Sequence, residues 1–553
     1  MNGFVGMRYA HTLKNGTFWK LSVGIIIVAF ACLWHIHSPV MWGDEAGTAI
    51  FGKTIIQRGL PLGFDGRNLS VFDNCASVSQ TLLSKKIPWA QDYIASLSIL
   101  LFGPTTMGAR LLFVIIGFCS FFPLYALLKN KSDHAAFLAT LVLLSPQVLL
   151  FQRNARYYPV LILLFFLLMW TYSHHFKSEK LRLILCCVLS FFFFYTHQLA
   201  AFCSMLSFVI LGALKDRGSL KVYVPALLLG LISWSVFYFA LKSVPGNTAN
   251  TIHLLLDHPS QWVYSFLTGL KASVLDLDYI NAFPLLVWGV LIGLAVSKKT
   301  RESILEPLGS PISLLILINL GIQIVVNSAL VGFETAHQYS LLRYMPHLIA
   351  AAWIPLFLVL ENVISQSLKR PTPTKAMAVP LALVAVAFLN LFTCSYWLRP
   401  MPGRSSAFSW WPPVYLEILG QQPDPFKALI ETLANETTND EETIMAWPPY
   451  INEILIFYVG AKYLIIPNVL ENSPCEKCII KEIGLKDYRR FRTHPKWAIF
   501  FLNPPPGVPP GYRLTKIPFF RHSPDATRPE ITRHDFVEGA NRPRGFIFVY
   551  KRV

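Results

Sequence analysis

Apolar residues in this chain come in long blocks, and polar residues are confined to the gaps between them. The run Leu21–Met41 is almost free of charge over the roughly 20 residues needed to cross about 30 Å of hydrocarbon. Ten further runs follow: Ala109–Lys129, His134–Phe151, Tyr157–His174, Leu181–Thr196, Leu199–Leu214, Val222–Lys242, Ala282–Ser297, Pro311–Val331, Tyr344–Val363 and Ala376–Trp397. Each predicts a membrane helix. The first reads as an uncleaved anchor, because no small-x-small site follows it. Tyr93–Phe102 is apolar but too short to span and predicts an interfacial or re-entrant helix. After Trp397 the blocks stop. Asp424–Asn435 reads as a helix with Asp424 as cap and Pro425 in its first turn. Thr443–Trp447, Tyr463–Ile466, Trp497–Leu502, Tyr512–Phe519 and Gly545–Tyr550 read as strands. The expected architecture is mainly α: a polytopic bundle of about 11–13 transmembrane spans over residues 1–398, with an outer loop at 42–108 carrying juxtamembrane helices. A small C-terminal α/β domain over residues 399–553 completes it.

Composition strengthens this picture. Of 553 residues, 54% are hydrophobic and only 14% are charged, too little polar surface to dissolve a protein of this length. The net charge of +17 would suggest nucleic acid in a soluble protein. Here it is the ordinary enrichment of Lys and Arg in cytoplasmic loops. The N-terminal Arg8, Lys14 and Lys20, the loops Lys129–Lys131, Lys177–Arg182, Lys215–Lys221 and Lys298–Arg301, and Lys369, Arg370 and Lys375 all fall on one side when each run is counted once. That side is expected to be cytoplasmic. The C-terminal domain is then extracytoplasmic, and a bacterial inner membrane is the expected location. Cys475 and Cys478 form a lone CxxC, as consistent with a short disulfide as with two thiols. Asn68-Leu69-Ser70 and Asn435-Glu436-Thr437 match glycosylation sequons, of consequence only in a eukaryotic host.

The polar residues on the outer face gather in clusters. Asp44 and Glu45 directly follow the first run. Taken alone, the pair reads as a helix N-terminus with Asp44 as cap. Lys85 and Lys86 lie in the first outer loop. Arg153, Arg156 and Tyr157 occupy the second outer turn and His197 the third. His337, Arg343 and Tyr344 occupy the last. Cations at outer ends run against the positive-inside trend, and several together suit one phosphate group.

Trp42-Gly43-Asp44-Glu45-Ala46 resembles the acidic signature of GT-C glycosyltransferases, in the branch of protein O-mannosyltransferases and lipid A aminoarabinose transferases. Lys86-Ile87-Pro88-Trp89 is similar to that family's Lys-Pro-Pro-Leu stretch, with Ile87 and Trp89 departing from it. Asn154-Ala155-Arg156-Tyr157-Tyr158 resembles its Glu-Ala-Arg-x-Tyr motif, with Asn154 in place of the acid. Tyr195-Thr196-His197 and Leu342-Arg343-Tyr344-Met345-Pro346 resemble two further elements. The likeness covers residues 19–397. It implies transfer of a sugar from a polyprenyl-phosphate donor, with inversion, to a hydroxyl of an envelope glycan, lipid or protein. Asp44 is then the general base, and Lys85, Lys86, Arg156 and Arg343 hold the donor phosphate. Tyr157, His197, His337 and Tyr344 are substrate-binding candidates. Glu45 accompanies Asp44 as a catalytic candidate, with helix capping, acceptor binding or a divalent cation as its alternatives. Asp65, Asp73 and Asp92 are unranked candidates for a second acid. No other cofactor is called for, and no His/Asp cluster demands a metal. The competing reading is a lipid or glycan transporter or flippase. Against it, the halves show no internal repeat, and the charges sit at span ends rather than at mid-membrane.

Overall fold

The computed structural model describes residues 19–70, 88–174, 176–240, 257–277, 298–330, 341–367, 424–436, 442–447, 451–466, 495–501, 507–519 and 545–553, with a few isolated positions between. Its helices are α1 (Trp19–Leu33), α2 (Gly43–Arg58), α3 (Ala90–Phe102), α4 (Thr106–Cys119), α5 (Phe121–Leu128), α6 (Ala135–Leu144), α7 (Pro146–Gln152), α8 (Tyr158–Ser173), α9 (Glu179–Thr196), α10 (Gln198–Lys215) and α11 (Leu220–Ala240). They continue with α12 (Pro259–Leu277), α13 (Lys298–Leu308), α14 (Pro311–Leu330), α15 (Pro346–Ser367), α16 (Pro425–Ala434) and α17 (Ile451–Val459). The fold is mainly helical, with a small sheet domain at the C-terminal end.

Five helical stretches among the described residues are long and apolar enough to cross a membrane: α4 with α5, α10, α11, α14 and α15. The protein is a multi-pass membrane protein. The pair α6 and α7 makes a sixth if counted as one span, bent by 71°. The bend falls at Ser145-Pro146, where the proline lacks the N–H that a continuous helix needs. The predicted span Leu21–Met41 is shorter than expected. Its helix ends at Leu33, and residues 34–42 form a non-helical link through His35, His37, Ser38 and Pro39. The predicted spans Ala282–Ser297 and Ala376–Trp397 lie outside the described residues, as does the 398/399 domain boundary.

The short apolar segment is α3, and it packs along α2 and α4. Gly52 permits this approach. A Cβ there would lie 2.9 Å from the Ser96 backbone nitrogen and 3.0 Å from the Ala95 carbonyl carbon. Buried Phe113, Phe121, Phe151, Phe165, Phe166 and Phe193 fill the bundle interior.

The C-terminal domain matches its sequence pattern closely. Asp424 caps α16, accepting from the Phe426 and Lys427 N–H groups. The sheet contains β1 (Thr443–Trp447), β2 (Leu464–Ile466), β3 (Trp497–Phe501), β4 (Tyr512–Phe519) and β5 (Gly545–Arg552), in the order β2-β1-β3-β5-β4. β1 pairs in parallel with β2 and β3, and β5 pairs antiparallel with β3 and β4. The helix α17 was not apparent in the sequence. Its residues are apolar almost all round, because it is enclosed between the sheet and α2.

The domain is stitched to the outer loop. The Asn68 side chain donates to the Gly460 carbonyl (2.8 Å) and accepts from the Ile465 N–H (2.7 Å). Arg67 donates to the Ala461 and Lys462 carbonyls. Asn68 is 1% exposed. The sequon at Asn68 is therefore a structural amide with its nitrogen already engaged, not a modification site. Cys475 and Cys478 lie outside the described residues.

Candidate active site

The link 34–42 delivers the chain into α2 with Trp42 as the residue before the helix. Asp44 is therefore not the cap. It sits with Glu45 in the first turn, where the helix dipole favours negative charge. Successive residues of a helix face different ways, and the two carboxylates part company here.

Glu45 points inward. It is fully buried, and its two oxygens accept a fork of hydrogen bonds from Arg110 Nε (2.6 Å) and Nη2 (2.7 Å). Its Oε1 also accepts from the Ala155 N–H at 2.8 Å. Arg110 uses its remaining nitrogen on the Ile36 and Pro39 carbonyls. One buried ion pair thus ties together α4, the link, α2 and the turn at 153–157. The sequence grouped Glu45 with Asp44 as catalytic; the structure engages both its oxygens and separates it from the exposed face. Arg110 was missed by sequence reasoning. Its signal was present: a lone arginine inside the apolar run that begins at Ala109.

Asp44 points the other way, and its side chain is 32% exposed. Its Oδ2 lies 3.6 Å from Arg156 Nη2 and 4.0 Å from Arg343 Nη1. Both guanidiniums are mostly buried. Arg156 is further held by the Thr48 hydroxyl (3.0 Å) and the Asp44 carbonyl (3.3 Å). Arg343 donates to the Tyr344 hydroxyl at 2.8 Å. Trp42 donates its indole N–H to the Asn154 amide oxygen at 3.0 Å. An amide oxygen accepts that bond in the same place a carboxylate oxygen would, if less strongly, so the departure at Asn154 leaves the connection intact.

An aromatic wall adjoins the charges. The Tyr157 ring lies 4.8 Å from the His197 ring, and the His197 ring 5.9 Å from that of Tyr344. Tyr157 donates its hydroxyl to the Arg343 carbonyl at 2.9 Å. His197 precedes α10, and its Nδ1 accepts from the Ala200 N–H. Burial first, then the nearby guanidiniums of Arg156 and Arg343, push His197 down to about 4. The ring is neutral at pH 7, and with Nδ1 accepting, the proton sits on Nε2.

The structure thus brings Asp44, Arg156, Tyr157, His197, Arg343 and Tyr344 to one end of the bundle. Arg153 is not with them: it donates to the Ala31 and Cys32 carbonyls at the end of α1. Asp65 is taken up by its own loop, accepting from the Arg67 and Asn68 N–H groups. Asp92 is buried in the first turn of α3, close enough to Arg156 to feel its charge. Lys85, Lys86, Asp73 and His337 lie outside the described residues. Among the described residues, no three His, Cys, Asp or Glu side chains converge as metal ligands.

No known family model matches the chain, and no curated protein matches it. Solved structures do. The chain is similar to ArnT from Cupriavidus metallidurans bound to undecaprenyl phosphate, with 12% identity, a TM-score of 0.53, and 97% of this chain and 98% of that one covered. The same protein in its apo state gives 12% identity and a TM-score of 0.49, with 98% of each chain covered. The archaeal oligosaccharyltransferase AglB from Archaeoglobus fulgidus gives 13% identity and a TM-score of 0.46, over 88% of this chain and 69% of that one. The fold is accordingly like that of the undecaprenyl-phosphate-bound ArnT structure over nearly the whole of both chains.

Proposed function

We propose that this protein is a membrane glycosyltransferase that moves a sugar from a polyprenyl-phosphate donor to an acceptor hydroxyl. The observation that carries the reading is the placement of Asp44, a partly exposed carboxylate with two mostly buried guanidiniums within 4.0 Å of one oxygen. That arrangement serves two substrates. The donor phosphate is a diester with one negative charge, and its two non-bridging oxygens compete with Asp44 for the paired N–H donors of Arg156 and Arg343, a hold that tightens as the departing sugar leaves a second charge behind. Asp44 is released from its partners as the donor seats. Its oxygen then accepts the proton of the acceptor hydroxyl as that hydroxyl attacks the anomeric carbon. Polyprenyl phosphate leaves as a stabilised anion. The arginines, with Lys85 and Lys86, neutralise the charge that grows on it. Attack opposite to departure inverts the anomeric centre.

Tyr157, His197 and Tyr344 form the wall against which the donor lies, and neutral His197 contributes a donor without adding charge. His337 belongs to the same substrate set. Glu45 acts through position: with Arg110 it fixes the first turn of α2 and hence the aim of Asp44. The acceptor is an envelope glycan, lipid or protein hydroxyl, and the site faces the periplasm from a bacterial inner membrane. Undecaprenyl phosphate, bound in the ArnT structure, is the natural first probe for the donor's lipid.

The test is Asp44→Asn, which keeps the shape and removes the base. Transfer from a polyprenyl-phosphate sugar in proteoliposomes should fall by roughly a hundredfold or more, while insertion and thermal stability stay near wild type. An Asp44→Asn protein that transfers normally would overturn the assignment of the base.

A further inference from the structure

A second polar group lies beside the site, among helices that are mostly apolar. On α14, Asn319, Gln323 and Asn327 stand four residues apart, which places them one above another on a single helical face. All three are fully buried. They form a ladder with Ser204 of α10 and His347 of α15. The Asn319 amide donates to the Ser204 hydroxyl (2.9 Å), and that hydroxyl meets His347 Nε2 (3.2 Å). The Gln323 amide donates to the Asn327 amide oxygen (3.1 Å) and to the Tyr344 carbonyl (3.5 Å). Tyr344 directly follows Arg343, so the ladder begins beneath the proposed phosphate cradle.

The ladder satisfies only half of itself. Asn319 Oδ1, Gln323 Oε1, Asn327 Nδ2 and His347 Nδ1 are buried and find no partner among the described residues. Leaving one such atom unmet is costly, and more so where lipid surrounds the bundle. Four in one stack, on two facing helices, is more than packing requires, since leucine would fill each position. The unmet set mixes acceptors with a donor, as does a run of sugar hydroxyls, each of which both donates and accepts. None of the five side chains is Asp, Glu, Lys or Arg. A carboxylate or ammonium brought here would find no opposite charge within the ladder.

We infer that this ladder binds the hydroxyl groups of the sugar on the lipid-linked donor, and that the sugar is uncharged: a neutral hexose or pentose rather than an aminosugar or a uronic acid. This rests on the glycosyltransferase reading and narrows its substrate.

The experiment measures binding to the full-length protein in lipid nanodiscs. The probes are undecaprenyl phosphate, its neutral hexose forms (glucosyl, galactosyl and mannosyl), its 4-amino-4-deoxyarabinosyl form and its galacturonosyl form, with phosphatidic acid as control. At least one neutral form should bind roughly tenfold or more tighter than bare undecaprenyl phosphate, and the two charged forms should show no such gain. Gln323→Leu and Asn327→Leu should each shrink that gain severalfold while leaving affinity for the bare lipid unchanged. Loss of bare-lipid affinity together with sugar affinity would overturn the proposal and leave the ladder structural. A gain that survives in both variants, or that belongs to a charged sugar, would overturn it too. Failure of the glycosyltransferase reading has a different mark: neither sugar-bearing nor bare undecaprenyl phosphate would outbind phosphatidic acid, and the proposal falls with it.

Discussion

Glu45 and Arg110 are side chains 0% and 4% exposed that hold one another in two hydrogen bonds. A buried ion pair has little net worth compared with two well-packed apolar residues, but losing one partner strands the other charge. Glu45→Met and Arg110→Met should each destabilise the folded protein by about 3–5 kcal/mol. The double variant Glu45→Met with Arg110→Met should lose clearly less than the sum. It will not recover fully, because Arg110 also serves the Ile36 and Pro39 carbonyls. Thermal unfolding of the four proteins in detergent measures the coupling. Additive losses would mean that the pair does not act as a unit. The adjacency of Asp44 and Glu45 was plain in the sequence, but their division of labour was not. A one-residue step in a helix turns a side chain by about 100°, and only the helix's setting against α4 says which carboxylate is enclosed. Asn154 gives the converse case. It read as a departure from an acidic pattern, yet its oxygen does the accepting that Trp42 needs.

At the scale of elements, the strands of the C-terminal domain and the helix capped by Asp424 were legible because their signals are local: alternation, β-branched content and a cap. The length of α1 and the presence of α17 were not. Apolar residues continue past Leu33, and only packing reveals that the link 34–42 leaves the helix to reach α2. The contact of α2 with α3 is a further long-range fact, and Gly52 makes it. Gly52→Ala would gain roughly 1 kcal/mol of helix propensity. It would also drive a methyl group against the α3 backbone at 2.9 Å, which cannot turn aside as a side chain could. Overpacking of that kind costs about 1–3 kcal/mol, so the variant should be less stable on balance. A thermal midpoint at or above wild type would show that α3 is free to retreat.

At the scale of the whole molecule, the C-terminal domain reaches the link before Asp44 directly. Asp424 uses one oxygen to cap α16 and the other to accept from the Val40 N–H at 2.6 Å. The Tyr458 hydroxyl accepts from the Met41 N–H at 3.1 Å and bonds Thr106 at 2.6 Å. These grips lie four and three residues before Asp44. Tyr458→Phe keeps the ring and removes both bonds. Under the proposed function it should lower kcat about tenfold, as expected for a slightly misaimed base, with KM for the lipid-linked donor nearly unchanged. A change confined to KM would place the domain's role in substrate binding instead.

The same grips bear on how the protein is made. Val40 and Asp424 are 384 residues apart in the chain, and Met41 and Tyr458 are 417 apart. Asp44 leaves the ribosome long before the groups that grip the link to it, which are synthesised after the last described helix of the bundle. A half-made chain already inserted in the membrane carries its carboxylate without that hold. Under the proposed function, competence to react is thereby tied to completion of the C-terminal domain, and the lipid-linked sugars around a nascent chain would meet a site that has not yet been set.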